Sequence, residues 1–313
     1  MNRGQYILRR LVQMIPVLFG ITVIVFMMVH LIPGNPAAVM LGDRATDKMI
    51  TEATHRLGLD KPLWEQYGYF MRNLVQLNLG ESIKYGVPVS SLLWHRLLVS
   101  MSVAVMTILL TTIISLPLGI LSALKKDSIL DNVVRSSLMV TMVMPSFWVG
   151  IMLIILLSIR IHLFPVAGWG TGFGQHVWHI FLPSLTIGLG VAPILIRTLR
   201  NSILESLGTD YIKTARSKGL RESSVIVAHV LRNALIPAVT LLGITMGGLM
   251  GGTVIMEKVF ALPGAGALLI DSVSARDYPV VQSATLVFAL LVILVNLVTD
   301  IIYSFIDPRV RFG

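Results

Sequence analysis

Long apolar stretches without a charged residue alternate along the chain with shorter polar segments. Stretches free of Asp, Glu, Lys and Arg cover residues 11–42, 97–124, 136–159, 161–196, 233–256 and 278–299. A helix needs about 20 apolar residues to cross the hydrocarbon core of a bilayer, so each stretch can hold one span. The stretches are continuously apolar and do not alternate at every second residue, as barrel strands would. The pattern therefore predicts an all-α integral membrane protein with six transmembrane helices.

Basic residues are distributed unequally between the two sides of the predicted membrane. Apart from seven in residues 33–98, Lys and Arg number fifteen on the side of the termini and three on the other side. Short cytoplasmic loops carry an excess of Lys and Arg, whereas long translocated segments largely escape this rule. Both termini are therefore predicted in the cytoplasm, with an extracytoplasmic insertion at residues 33–98 and a cytoplasmic loop at residues 200–236.

One transmembrane domain over residues 1–313 accounts for the whole pattern. Its spans are predicted near residues 11–32, 99–122, 136–158, 179–199, 235–256 and 280–302.

The composition excludes an ordinary soluble domain. Of the 313 residues, 55% are hydrophobic and 13% are charged, whereas soluble domains carry about 25% charged residues. The net charge of +9 is explained by the basic cytoplasmic loops, so it does not indicate a nucleic-acid partner. Because the chain has no Cys, disulfides and thiolate metal sites are excluded.

A surface helix is predicted in the extracytoplasmic insertion, beginning after Pro62. Its apolar face, at steps of mostly three and four, consists of Leu63, Tyr67, Phe70, Met71, Leu74 and Leu77. We expect this face to pack on the outer ends of the spans. The alternative is that it meets a partner or closes a pore.

The cytoplasmic loop contains a polar, helix-competent segment that starts at Asp210. Gly219 is expected to end this helix in the left-handed conformation, and a second helix is expected over residues 223–235. By composition alone, the loop is a solvated segment that follows the positive-inside rule.

Signatures of an internal energy source are missing from the sequence. No phosphate-binding Gly-x-x-x-x-Gly-Lys-Ser/Thr occurs. The spans lack an ionisable residue near the midplane, and Glu257, Lys258 and Asp300 are expected at the membrane interface. The pair His176 and His179 has metal-like spacing but is interpreted as part of an interfacial loop. The sequence therefore favours neither an enzyme nor ion coupling within this chain, although an ion-coupled transporter stays an alternative, and any nucleotide energy has to come from a partner.

Small residues form two rows along the fifth predicted span. Gly243, Gly247 and Gly251 step by four, as do Gly248 and Gly252. Small residues allow helix backbones to approach closely. Packing within one subunit and a pore-lining or subunit-interface surface remain equally open.

Several motifs in one order resemble the inner-membrane permease subunit of bacterial ATP-binding-cassette importers of the dipeptide, oligopeptide and nickel group. They are Arg9-Arg10, Leu31-Ile-Pro-Gly-Asn-Pro36, Leu57-Gly-Leu-Asp-Lys-Pro62, Leu79-Gly80, Asp210-Tyr-Ile-Lys-Thr-Ala-Arg-Ser-Lys-Gly-Leu220, His229-x-Leu-Arg-Asn-Ala-Leu-Ile-Pro237, Glu257-x-x-Phe-x-Leu-Pro-Gly-x-Gly266 and Arg276-Asp-Tyr-Pro-Val-Val-Gln282. The resemblance covers nearly the whole chain.

The resemblance implies a type I importer-like permease whose coupling segment docks on an ATPase. It places this segment at Tyr211, Thr214, Ala215, Arg216, Lys218, Gly219 and Leu220. Lys213 and Thr214 stand where Glu and Ala are usual in importer permeases, as in the peptide and nickel branch. The small Ala215 is expected to permit close approach of the partner surface.

The resemblance also implies the partners and the energy source. They are a second homologous permease, two ATPase subunits that use ATP and Mg, and an extracytoplasmic solute-binding protein, all in or at the bacterial inner membrane. This chain is expected to bind no cofactor or metal itself.

Alternating access of a peptide pathway is the expected function. Thr245, Met246, Gly247, Gly248 and Gly251 are candidates for the substrate pathway. The alternatives are import of nickel or another small solute by the same architecture, an ion-coupled secondary transporter or channel, and a structural membrane scaffold.

Overall fold

The computed structural model describes residues 3–31, 38, 46–56 and 58–306. Most of the motif at residues 31–36, as well as the C-terminal residues 307–313, lies outside this part of the chain. So do the side chains of Met246 and Asp300.

Helices make up the regular structure of the described residues, which contain no β-strand. In chain order the helices are α1 (Arg3–Leu31), α2 (Asp47–Arg56), α3 (Leu63–Val75), α4 (Val89–Leu124), α5 (Ile129–Val143), α6 (Ser146–Leu153), α7 (Phe173–Leu207), α8 (Asp210–Ser217), α9 (Arg232–Val259), α10 (Ala265–Ser274) and α11 (Tyr278–Ile306). A π-helical segment, Ile154–Arg160, extends α6. A short helical turn, Glu222–Ser224, leads into a second π-helical segment, Val225–Leu231, which precedes α9. The prediction of an all-α protein is confirmed.

Five helices of the described chain are long and apolar enough to cross a membrane. Their ranges are Arg10–Met28, Val89–Leu124, Phe173–Leu207, Glu222–Leu249 and Tyr278–Thr299. A sixth candidate is the pair Ile129–Val143 and Ser146–Arg160, which is bent by 109°. The predicted span at residues 136–158 is therefore not one straight helix. Pro145 explains the break, because the residue before a proline is forced out of the helical region, and Met144 is extended with ψ 131°.

The described chain forms two compact units. The large unit consists chiefly of Ser100–Leu262, and the small unit comprises Gly4–Val99 and Pro263–Ile293. The core of the large unit is centred on α7, which packs against α8, the end of α4 and the start of α9. Its buried members are Ala123, Leu195, Leu199, Ile203, Ile212, Ala215, Val225, Val230, Ala234 and Ala238.

The small unit has its own core and carries the surface helix predicted after Pro62. Val89 and Leu93 of α4 pack with Leu268 of α10 and with Val280 and Ala284 of α11.

The surface helix α3 packs on α1. Its Tyr67 and Phe70 rings lie 5.4 and 5.9 Å from the ring of Phe26, between centroids. His30 and Gln66 join the same two helices through a hydrogen bond of 2.9 Å between Nε2 and Oε1. The predicted surface helix and its packing on a span are confirmed. Leu77 was wrongly assigned to its apolar face, because this residue lies beyond the helix end and is 82% exposed.

Candidate functional site

The segment at residues 200–236, predicted as a cytoplasmic loop, is largely helical. The helix α7 continues to Leu207, and helical winding resumes at Glu222 and runs through Val225–Leu231 into α9. Only α8 and two short connections separate these long helices. The predicted coupling segment is therefore anchored at both ends to helices that the sequence predicts to enter the membrane.

The two faces of α8 have different surroundings. Ile212 and Ala215, three residues apart on one face, are buried in the core of the large unit. Ala215, which is expected to permit close approach of a partner surface, is only 9% exposed. Its small side chain instead lets α8 lie close to the helices of its own chain.

The remaining predicted coupling residues lie together on the exposed side of α8 and of the turn that follows it. They are Tyr211, Thr214, Arg216, Lys218, Gly219 and Leu220. Tyr211 is held at its tip, where its hydroxyl accepts a hydrogen bond of 3.0 Å from Nδ2 of Asn233. The exposed surface is thus attached to α9 by a side chain as well as by the backbone.

Gly219 ends the helical turn in the left-handed conformation, as predicted. Its φ is +77°, and its N–H donates to the carbonyl oxygen of Arg216 at 2.9 Å. A Cβ atom at this position would meet nothing within 4 Å. The backbone conformation, and not lack of space, is therefore what requires glycine here.

Charged side chains surround this turn. The guanidinium of Arg216 donates two hydrogen bonds to the Glu222 carboxylate, from Nη2 to Oε1 at 2.6 Å and from Nε to Oε2 at 3.0 Å. These bonds raise the pKa of Arg216 above its ordinary value. Lys213 pairs with Asp210 at 2.8 Å. Lys218 and Arg221 have no ion-pair partner in the described part of the chain, so the tip of the turn is positive.

Four of the five glycines of α9 fall into two environments, and a Cβ on the fifth, Gly252, would lie in ordinary contact with Ile187 at 3.7 Å. A Cβ on Gly243 would overlap Thr299 of α11, and one on Gly247 would come within 2.7 Å of Asn296 Oδ1. Gly248 and Gly251 are exposed and have nothing within 4 Å of that position. The first two glycines therefore serve close helix packing inside the chain, and the other two leave an open face.

Thr245 is another candidate for the substrate pathway, and its hydroxyl is engaged within its own helix. Thr245 is half-buried, and its hydroxyl donates to the backbone carbonyls of Leu241 and Leu242 within its own helix.

A buried ionic cluster in the large unit was missed by sequence reasoning. Arg200 of α7 donates to both oxygens of Asp131 in α5, at 2.8 and 2.6 Å, and Ser122 also donates to this carboxylate. Asp131 is fully buried. The signal in the sequence was that Asp131 and Arg200, which carry opposite charges, lie near the predicted cytoplasmic ends of two successive spans.

Glu257 is another buried carboxylate in the large unit. The residue was predicted to lie at the membrane interface; its side chain is fully buried within the protein and accepts a hydrogen bond of 2.6 Å from Ser100.

In the small unit, Asp277 fixes the turn at residues 82–84 of the predicted extracytoplasmic insertion. Its carboxylate accepts hydrogen bonds from Ser82 Oγ at 2.5 Å and from the backbone N–H groups of Ile83 and Lys84 at 3.1 and 3.2 Å. Asp277 lies within one of the motifs that carry the resemblance, but no spacing rule connects it to residues 82–84.

Within the described residues, no group of three or more His, Cys, Asp or Glu side chains is placed to hold a metal ion. His176 Nδ1 lies 3.0 Å from the carbonyl oxygen of Trp169, and His179 Nδ1 lies 2.8 Å from that of Gln175.

Two family models match nearly the whole chain. One is described as "Binding-protein-dependent transport system inner membrane component" and matches residues 115–312. The other, "Binding-prot-dependent transport system membrane comp, N-term", matches residues 3–104. The resemblance inferred from the sequence motifs is confirmed.

Curated relatives are similar over their full length. The chain is 38% identical to the dipeptide transport system permease protein DppB of Escherichia coli (strain K12), with 98% of each chain covered. It is 40% identical to the di/tripeptide transport system permease protein DppB of Pseudomonas aeruginosa (strain UCBPP-PA14), again over 98% of each. It is 38% identical to the glutathione transport system permease protein GsiC of Escherichia coli O6:H1, over 98% of this chain and 99% of that protein.

Solved structures share the fold. A chain of the MetNI methionine ABC transporter, in an inward-facing conformation, matches with a TM-score of 0.56 at 18% identity, covering 67% of this chain and 93% of the other. An amino acid ABC transporter matches with a TM-score of 0.50 at 15% identity, covering 71% and 95%. The predicted fold class, an importer-type permease, is confirmed.

Proposed function

Because the chain belongs to the family of binding-protein-dependent transport system inner membrane components, we propose that it is the permease subunit of an ATP-driven importer of di- and oligopeptides. It is a multi-pass protein of the inner membrane. The observation that carries the peptide proposal is the full-length similarity to permeases of dipeptide, di/tripeptide and glutathione systems.

The proposed assembly contains this chain, a second homologous permease, two ATPase subunits and an extracytoplasmic binding protein. The sequence has no phosphate-binding loop of its own, which supports the assignment of ATP and Mg to the partner subunits. This chain would perform no covalent chemistry. Its part is to form half of the pathway and to expose it alternately to each side.

Movement of the ATPases is proposed to reach the membrane helices through α8. The exposed side of α8 and its turn would dock on the ATPase, while Ile212 and Ala215 fix the other side to the core of the large unit. The hydrogen bond between Tyr211 and Asn233 ties the same helix to α9. A displacement of α8 would therefore move α7 and α9 together, since packed interiors transmit strain with little deformation.

The open face of α9 is proposed as a surface of the substrate pathway. Gly248 and Gly251 offer space there, and Thr245 lies on the same helix. Gly247, next to Gly248 in the chain, packs against α11 and so belongs to the side of α9 that faces the chain's own helices.

Transport by the complete complex tests the proposed function. Cells that lack other peptide uptake systems would express all subunits, and uptake of a labelled dipeptide would be measured with and without ATP depletion. We expect ATP-dependent uptake that unlabelled dipeptides inhibit. Uptake of nickel in place of dipeptide would favour the alternative substrate class, and gradient-driven uptake by this chain alone would contradict the importer assignment.

The coupling assignment has its own variant and control. Gly219→Val places a β-branched residue at φ +77° and should abolish most ATP-dependent uptake by distorting the docking turn. Gly208→Ala is the matched control, because Gly208 has φ −79° and an added Cβ would lie 3.5 Å from the Glu205 carbonyl oxygen. Uptake that survives in Gly219→Val at the control level would refute the coupling role of this segment.

A further inference from the structure

We propose that the Arg216–Glu222 ion pair is a clasp that orients the turn at residues 217–221 for docking on an acidic surface of the partner ATPase. This inference rests on the proposed function, because it names the chemistry of the surface that meets the coupling segment. Arg216 and Glu222 act as positioning residues, and the groups that they present are Lys218, Leu220 and Arg221.

The geometry of the pair supports a positioning role. Arg216 lies in the last turn of α8, and Glu222 is the first residue of the next helical stretch. The two hydrogen bonds between them close a loop of six residue steps around Gly219. A bidentate guanidinium–carboxylate contact fixes direction as well as distance, so it sets the angle at which the chain leaves α8.

The basic side chains that lack an ion-pair partner indicate the chemistry of the surface on which the turn would dock. Glu222 neutralises Arg216, and Asp210 neutralises Lys213. In the described part of the chain, Lys218 and Arg221 have no carboxylate partner, and Leu220 lies exposed between them. Complementary potentials across an interface favour correct register and partner choice. A surface with acidic groups on either side of a small apolar recess fits this arrangement.

This pair contributes little to the stability of the fold. Both side chains are about half exposed, at 44% for Arg216 and 55% for Glu222, and exposed ion pairs contribute little to folding. The core contacts of Ile212 and Ala215 hold α8 in place without it. Loss of the clasp should therefore free the turn and leave the chain folded.

A charge argument separates the clasp from simple electrostatic attraction. Removing the negative charge of Glu222 makes the segment more positive, so an acidic partner would bind more tightly if only net charge mattered. The clasp predicts the opposite result, because Lys218 and Arg221 lose their fixed orientation.

The test measures binding of the ATPase subunits to the membrane complex in nanodiscs over a range of salt concentrations. We expect Glu222→Gln to weaken binding by about fivefold or more, and the charge swap R216E/E222R to return it to within about twofold of the wild type. Lys218→Glu should weaken binding and flatten its salt dependence. Glu65→Gln, which removes one partner of the partly exposed Lys61–Glu65 pair of the insertion, is the control and should bind as the wild type does.

The outcomes distinguish the inference from the proposed function. Equal or tighter binding of Glu222→Gln, or a swap that fails to restore binding, would overturn the clasp. An unchanged salt dependence in Lys218→Glu would overturn the acidic surface. If the wild-type complex binds no ATPase at all, the proposed function itself fails.

Discussion

Two carboxylate–guanidinium pairs of the large unit have nearly the same geometry in opposite surroundings. Arg200 holds Asp131 with bonds of 2.6 and 2.8 Å, and Arg216 holds Glu222 with bonds of 2.6 and 3.0 Å. The side chains of the first pair are 13% and 0% exposed, whereas those of the second are 44% and 55% exposed. Burial, and not bond geometry, separates a pair that the fold requires from one that is available to orient a surface.

The physical reason lies in the solvation of the charge that remains when one partner is lost. A buried charge without a partner has neither water nor a counter-ion, so breaking a buried pair is strongly destabilising. At the surface, water replaces the missing partner and the effect on folding is small. The same contact therefore joins α5 to α7 in one place and sets the direction of a turn in the other.

The largest effect is expected from Asp131→Asn. This change leaves the Arg200 guanidinium partly buried without a counter-charge and should destabilise the chain by about 3–5 kcal/mol. Thermal unfolding in detergent, followed by circular dichroism, measures the change. Asp127→Asn is the control, because Asp127 is exposed and Asn tolerates its φ of +60° well. The double variant Asp131→Asn/Arg200→Met should recover part of the loss, and no recovery would argue against an unpaired charge as its cause.

Asp277→Asn tests a buried carboxylate that has no guanidinium partner in the described chain. Asp277 is held only by neutral donors, so its loss leaves no unpaired charge behind. Asn keeps only one acceptor oxygen, so its amide nitrogen would face the backbone N–H of either Ile83 or Lys84, and we expect a loss of about 1.5–3 kcal/mol. The same unfolding assay, together with limited proteolysis at residues 82–88, reports the change. Glu81→Gln, at an exposed neighbour, should have no such effect, and equal proteolysis of the two variants would contradict the role of Asp277.

The glycines of α9 extend the contrast to an uncharged residue type. An added methyl group at Gly243 overlaps Thr299, so Gly243→Ala should cost about 1 kcal/mol or somewhat more through displacement of α9 from α11. Gly251→Ala adds the same group in open space and should leave stability unchanged or slightly raise it through helix propensity. Unfolding midpoints of the two variants measure the difference, and the reverse order would contradict the packing assigned here.

The smallest effect on stability is expected from Glu222→Gln. Because the pair is exposed, water can solvate Arg216 after the change, and the unfolding midpoint should equal that of the wild type. ATP-dependent uptake should nevertheless fall if the turn must be oriented for docking. A large drop in the midpoint would mean that this pair belongs to the fold in the same way as the buried pair.

Many features of the structure were predicted from local patterns in the sequence. Continuous apolar stretches predicted the long helices, amphipathic spacing predicted α3, and Gly219 predicted the left-handed turn after α8. Each depends on residues close together in the chain. The break at Pro145 also had a local cause, yet the apolar stretch at 136–159 concealed it because hydropathy does not register backbone direction.

The motif placed the proposed coupling residues in one short segment, but it did not give their orientation. The structure shows that Ile212 and Ala215 face the core. The exposed side therefore carries the other proposed coupling residues, which are Tyr211, Thr214, Arg216, Lys218, Gly219 and Leu220. Helix periodicity says which residues share a face, whereas the neighbouring helices decide which face is buried.

The sequence by itself determined the membrane class, the helical fold and the family, because these follow from hydropathy, charge distribution and ordered motifs. Only the tertiary structure decided the partners of the buried carboxylates. Arg200 lies 69 residues from Asp131, and Ser82 lies 195 residues from Asp277. Sequence spacing contains no information about such distances in space, because helix packing brings these groups together. It is also helix packing that separates Gly243, against Thr299, from Gly251, in open space, although both belong to one row of the same helix.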